Sequence, residues 1–168
     1  KRQGWEIYDE NGNIKQKWSS LALATRNNQL NAINKLKAIG VDITNDPGLR
    51  HYDEKGNIKQ KWSSLAVAVS FNQVNAIVAL KAIGVDIAND PGVEIYDENG
   101  NIKGKQSSLA VAARSNQLNA INALKAIGVD IANDPGVEFY NENGNIKGKH
   151  SSLAVAVSFN QVNAIVAL

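Results

Sequence analysis

The chain has 168 residues, 43% of them hydrophobic, and its 18 Lys and Arg against 16 Asp and Glu leave a formal charge of +2. That content at that length fills a core and argues against disorder, while so small a charge marks neither a nucleic-acid nor a membrane-surface binder. The lack of Cys removes disulfide scaffolds, thiol nucleophiles and cysteine-ligated zinc.

No apolar run approaches the ~18 residues of a spanning helix, and Lys1-Arg2-Gln3 carries no apolar signal core. No compartment is assigned by these features, the cytoplasm being the default expectation. A chain without Met is expected to be a segment of a longer protein.

The sequence matches itself at a period of 44, with Tyr8, Tyr52, Tyr96 and Tyr140 in register, which divides one array into copies 1–48, 49–92, 93–136 and 137–168. Copies 1 and 3 share Asn-Gln-Leu-Asn-Ala-Ile-Asn and copies 2 and 4 share Phe-Asn-Gln-Val-Asn-Ala-Ile-Val-Ala-Leu, so the duplicated unit has 88 residues. A period in this range predicts units that bury their apolar faces only against their neighbours.

Each copy begins with a segment such as Glu6 to Lys17, which has strand character on both sides of a turn and reads as a β-hairpin finger. Asn-Gly at its tip becomes Lys55-Gly56 in the second copy, so a type I turn followed by a bulge glycine suits all copies better than a type I′ turn. In that register Asp9 faces Asn13, Tyr8 faces Ile14 and Ile7 faces Lys15, which puts a Tyr/Ile pair on one face and lysines on the other.

Ser19-Ser20 then precedes Leu21, Leu23 and Ala24, the pattern of an N-cap serine opening a helix over about 20–27. Asn28 tolerates the left-handed turn that must follow. Leu30, Ile33, Leu36 and Ile39 are spaced for a second helix, which Gly40 closes. Val41-Asp42-Ile43 leads to an Asp-Pro-Gly turn.

These helical segments resemble the ankyrin repeat. Ser63-Ser-Leu-Ala-Val-Ala68, Asn72-Gln-Val74 and Gly84-Val-Asp-Ile87 are similar, without gaps, to the family's Thr-Pro-Leu-His-x-Ala, inter-helix turn and closing Gly-Ala-Asp-Val. Ala22, Ala66, Ala110 and Ala154 stand where the family has His, and the finger lengthens the usual ~33 residues to 44. The resemblance implies a mainly α repeat solenoid of ankyrin-like helix-turn-helix pairs joined by inter-repeat β-hairpins. It also implies a non-enzymatic protein-interaction scaffold.

No catalytic residue is expected, because His51 and His150 fall at different places in their copies and no triad or carboxylate pair is repeated. Asp9-Glu-Asn-Gly-Asn13 lacks the spacing and the distal Glu of a calcium loop, so neither metal nor cofactor is expected. Partner-binding candidates are Trp18, Trp62, Gln106 and His150, which share one position before the helix cap, together with Arg26 and Arg114 on the first helix. Trp18 and Trp62 also suit a hydrophobic staple. Lys17, Lys61, Lys105 and Lys149, with Lys15 and its equivalents, form a basic stripe that either attracts an acidic partner or protects strand edges from aggregation.

No exposed aromatics are expected between those lysines, which argues against nucleic acid, and no membrane partner is expected. The expected partner is a protein that meets the fingers and a concave helical face. The alternative is a structural element that stacks end to end with itself, since the last copy stops on apolar Ile165-Val166-Ala167-Leu168. Variation between copies at outward positions favours the binding module.

Overall fold

The computed structural model describes residues 4–168; Lys1, Arg2 and Gln3, read above for a signal core, lie outside them. The first copy runs as strands β1 (Gly4–Tyr8) and β2 (Ile14–Ser19), then helices α1 (Ser20–Arg26) and α2 (Leu30–Ala38). The second repeats this as β3 (Leu49–Tyr52), β4 (Ile58–Trp62), α3 (Ser64–Ser70) and α4 (Val74–Ala82). The third has β5 (Val93–Tyr96), β6 (Ile102–Gln106), α5 (Ser108–Arg114) and α6 (Leu118–Ala126). The fourth has β7 (Val137–Tyr140), β8 (Ile146–His150), α7 (Ser152–Ser158) and α8 (Val162–Ala167).

Local chemistry sets each helix boundary. The Ser19 hydroxyl accepts from the Ala22 amide at 3.0 Å, and Ser63, Ser107 and Ser151 do the same one copy on, which satisfies an amide that the first helical turn leaves free. Asn28, Asn72, Asn116 and Asn160 take φ of 52 to 54° between the two helices of each copy, a conformation Asn adopts more readily than most residues. At the finger tip Gly12 has φ 82° and Asp9 exchanges backbone bonds with Asn13 and Gly12, the type I turn with a bulge glycine.

The expectation of a mainly α, ankyrin-type solenoid is corrected. The fingers are not separate projections: all strands join one eight-stranded antiparallel sheet in sequential order, so strand makes up 23% of the described residues beside 37% helix. The second strand of each copy pairs with the first strand of the next, as in Trp18↔Leu49, Trp62↔Val93 and Gln106↔Val137. The cause is the Pro-Gly turn. The Ser19 amide donates to the Gly48 carbonyl at 2.9 Å, laying β3 along the free edge of β2. On its other side the turn closes against β4, where a Cβ on Gly48 would stand 2.0 Å from the Trp62 carbonyl oxygen, so only glycine fits there. The tandem repetition stands, while the ankyrin and solenoid descriptions do not.

The finger register also differs from the expectation. Tyr8 pairs with Ile14, but Ile7 pairs with Gln16 and not Lys15. Lys15 is the extra residue of a second bulge, repeated at the same place in every copy. The shift carries Lys17 to the face of Tyr8 and Ile14, so Tyr and Lys share a face.

Two rows of helices lie behind the sheet. The first row packs α1 on α3, α3 on α5 and α5 on α7, and the second packs α2 on α4, α4 on α6 and α6 on α8. Between the rows lies the main core, which includes Leu21, Ile33, Leu65, Ile77, Leu109 and Ile121. A smaller cluster of Trp18, Ala22, Leu49 and Val67 joins the sheet to the first row.

Polar groups bolt each copy to the next. The Asn28 side-chain oxygen accepts from the Ala76 amide at 3.0 Å, and Gln73 returns a 2.8 Å bond to the Arg26 carbonyl. The Asn72/Ala120 and Asn116/Ala164 pairs repeat the first bond. Ser64 donates to Asp46 and Ser108 to Asp90, both at 2.6 Å. Burial pushes the carboxyls of Asp46 and Asp90 above the ordinary range, against the lowering effect of these hydroxyls.

Candidate functional site

The sheet has two faces of different chemistry. On the face toward the first helix row, the register sets Trp5, Trp18, Leu49, Trp62, Val93, Gln106, Val137 and His150 in one line across the strands. Ile7, Gln16, His51, Gln60, Ile95, Gly104, Phe139 and Gly148 form the next line outward.

In the first two copies these lines, with the C-terminal ends of α1 and α3, enclose a groove of about 340 Å³. Trp18 is only 5% exposed and forms its floor, while Trp5 at 45% and Phe71 at 46% form open walls. The Arg26 guanidinium lies 5.3 Å from the Trp18 ring and 5.4 Å from the Phe71 ring, held between two π faces.

A chain of hydrogen bonds fixes the groove wall. Trp18 Nε1 donates to Gln16 Oε1 at 3.0 Å, and Gln16 Nε2 lies 3.4 Å from His51 Nδ1. Because the indole can only donate, the Gln16 oxygen is its acceptor and the Gln16 amide faces the imidazole as donor. His51 Nδ1 is then an acceptor, which requires the neutral ring. Burial, followed by the charge of Lys59, holds the His51 pKa below its ordinary value. Trp62 repeats the first bond with Gln60 at 3.0 Å.

Copies 3 and 4 keep the backbone and lose the groove chemistry. Gln106 and His150 replace the tryptophans, and Gly104 and Gly148 replace the glutamines. Phe139 lies over the space left by Gly148, its Cδ2 3.6 Å from where a Cβ would stand, and packs edge-on to His150 with ring centroids 5.7 Å apart. Arg114 occupies the position of Arg26 but stacks on no ring among the described residues.

The lysines lie on the opposite face. Lys17, Lys61 and Lys105 sit 5.7, 5.4 and 5.9 Å from the rings of Tyr52, Tyr96 and Tyr140, each on the next finger. Lys149 pairs with Glu138 at 3.6 Å. Aromatic rings therefore do interleave with this stripe, contrary to expectation. Edge protection also fails as a general account, since β2, β4 and β6 are interior strands and only β8 of the lysine strands is an edge. The sequence-predicted site residues thus divide: the Trp18, Trp62, Gln106, His150, Arg26 and Arg114 positions belong to one face, and the four lysines to the other.

Sequence reasoning passed over Trp5, Gln16 and Phe71, and met His51 only as a non-catalytic residue at a position that varies between copies. The signal was present in the finger sequences, where Gln-Lys-Trp occurs in copies 1 and 2 and Gly-Lys-Gln or Gly-Lys-His in copies 3 and 4.

The profile of the MORN repeat variant family matches residues 5–20, which cover the first finger and the entry to α1. The ankyrin resemblance is corrected by this match as well as by the sheet, because the similarity falls on the segment that the ankyrin pattern omits. No curated protein matches the chain. Similarity to a MORN-type repeat module is compatible with a non-enzymatic tandem-repeat scaffold.

Proposed function

We propose that this chain is a protein-interaction module whose working surface is the aromatic groove of copies 1 and 2, and that its ligand is an apolar segment of a partner protein. The observation that carries this reading is the exposure of Trp5 and Phe71 beside an arginine already stacked on two rings. Aromatic and Arg anchors around a concave apolar surface are the groups that concentrate binding energy at protein interfaces. Gln106, His150 and Arg114 mark the same positions where the array serves as a continuation of the scaffold. The lysine face supports long-range attraction of an acidic partner.

The test is selection of peptides from a random display library on the intact chain, followed by binding to Trp5→Ala, Phe71→Ala and Lys105→Ala variants. The groove reading expects at least tenfold weaker binding in the first two and little change in the third. Peptides that lose affinity only with Lys105→Ala would place the working surface on the other face.

A further inference from the structure

Along the face of the sheet opposite the groove, charges of opposite sign alternate from strand to strand. Lys61, Glu94, Lys105, Glu138 and Lys149 stand directly opposed in that order, and Lys149 reaches Glu138 at 3.6 Å. Each of these glutamates is the second residue of its strand and stands between the lysines of two successive copies.

Copy 2 breaks the alternation. Its β3 carries Arg50 where β5 and β7 carry Glu94 and Glu138, and the register opposes Arg50 to Lys17 on one side and to Lys61 on the other. Like charges directly opposed on one sheet face repel, so the row holds successive cations where it elsewhere sets an acid between two bases. Glu6 and Glu94 stand on the outer sides of the two lysines, and Arg50 has no acid beside it in the row.

The arginine is not turned out into water to relieve this. Its Nε is buried without a hydrogen-bond partner, the only side-chain nitrogen or oxygen so placed among the described residues, and the guanidinium forms no ion pair among them. A charged donor closed off from water and left unsatisfied costs more than a neutral one. Asp46 does not fill the gap. Its carboxylate accepts from the Ser64 hydroxyl at 2.6 Å, and burial raises its pKa, Arg50 being the last of the groups that act against that rise.

The flanking lysines are already held, Lys17 at 5.7 Å from the Tyr52 ring and Lys61 at 5.4 Å from the Tyr96 ring. A hollow of about 280 Å³ is lined by Arg50, Lys61, Pro47, Ile58 and Pro91, together with the acids Asp46 and Glu94.

From this row we infer that Arg50, flanked by Lys17 and Lys61, is a binding site for a carboxylate carried by an acidic segment of a partner protein. The partner supplies from outside the acid that copies 3 and 4 carry within the row, where Glu94 and Glu138 show that a carboxylate fits between the bases of neighbouring strands. A guanidinium presents its N–H groups in a planar fork that matches both oxygens of a carboxylate, and the two ammonium groups add attraction from either side. Lysines placed in advance by aromatic rings lose less freedom on binding than unrestrained ones. The site lies on the other face of the sheet from the aromatic groove and does not rest on it.

The test uses the intact chain and a capped peptide of consecutive glutamates flanked by Gly-Ser, followed by calorimetry and by the proton–nitrogen resonance of the Arg50 Nε–Hε group. Binding is expected, and that resonance is expected to move as peptide is added. Arg50→Glu is expected to weaken binding at least about tenfold, whereas Lys37→Glu, the same change of charge at an exposed position of α2, leaves it within about twofold. Because Arg50→Glu restores the alternation of copies 3 and 4, it is expected to fold and to melt at a higher temperature than the unchanged chain. A lower melting temperature would show that the arginine serves the fold and not a ligand. Inorganic phosphate and vesicles of phosphatidylcholine with phosphatidylserine are expected to leave the Arg50 resonance in place. A peptide that does not bind, equal losses in the two variants, or a resonance that answers to phosphate or vesicles and not to the peptide overturns the inference.

Discussion

Copies 1–2 and copies 3–4 share one backbone and differ in what that backbone displays. In the first pair Trp18 and Trp62 bond to Gln16 and Gln60 and a groove stands open beside them. In the second, glycines replace the glutamines and Phe139 settles over the gap. The helices sort differently, with copy 1 like copy 3 and copy 2 like copy 4. Fingers and helices therefore vary on separate schedules. The comparison teaches that junction residues such as Asn28, Gln73 and Gly48 carry the fold, which leaves the positions beside them free to carry chemistry.

The largest expected difference between the halves is at the shared position before the helix cap. Trp18→Ala removes a nearly buried indole and is expected to destabilise by about 3–5 kcal/mol, whereas Gln106→Ala is expected to cost under about 1 kcal/mol. Urea melts of the two variants check this, and equal losses would break the comparison.

A second contrast separates interior from end. Leu65→Ala is expected to lose about 2–5 kcal/mol, and Leu153→Ala, the same residue of copy 4 but 47% exposed, under about 1 kcal/mol. Urea melts of the two variants read the difference.

The junction aspartates of copies 1 and 2 give a pH signature. Because burial raises the carboxyls of Asp46 and Asp90, the native state binds more protons than the unfolded chain at pH values just above the ordinary value of 3.8. Stability from these groups is therefore gained as pH falls through the raised values and lost as it rises through them. Asp90→Asn is expected to flatten that part of the melting-temperature profile. The tip carboxyls Asp9 and Asp53, held down first by the amides of Asn13 and Asn57, act in the opposite sense below 3.8 and should be unaffected.

The smallest effect belongs to the first half alone. His51 is held neutral, so stability is present above its ordinary value of 6.5 and is lost as pH falls from there through the depressed native value. His51→Ile, which installs the residue of copies 1 and 3, is expected to remove that slope. An unchanged slope would show that the Gln16 bond does not depend on the neutral ring.

Legibility in the sequence follows the range of the interaction. Ser19, Asn28, Gly12 and Gly40 state the conformational demands of their own backbone, so the helix pairs and finger tips were readable. The continuous sheet was not, because nothing in β2 alone says that residue 49 will lie beside residue 18. The bulge at Lys15 was hidden for a related reason: one extra residue reverses the sides of everything after it, and the alternation Lys15, Lys17 reads equally well without it. At the candidate surface the tryptophan position was visible as variation between copies. Phe71 and Trp5 were missed because they reach the groove from a helix end and from the edge strand.

The bolts between copies also fix how far along the chain any contact must reach. The longest side-chain hydrogen bonds join residues 48 apart, as from Asn28 to Ala76 and from Asn116 to Ala164, and the sheet pairs only successive strands. Closing a loop of a given length costs the same wherever it falls in the chain. The search for native contacts is then set by a single period, so folding time is expected to depend weakly on the number of copies. Appending another 88-residue unit asks the chain to solve no problem that it has not already solved, an open route to growth by duplication.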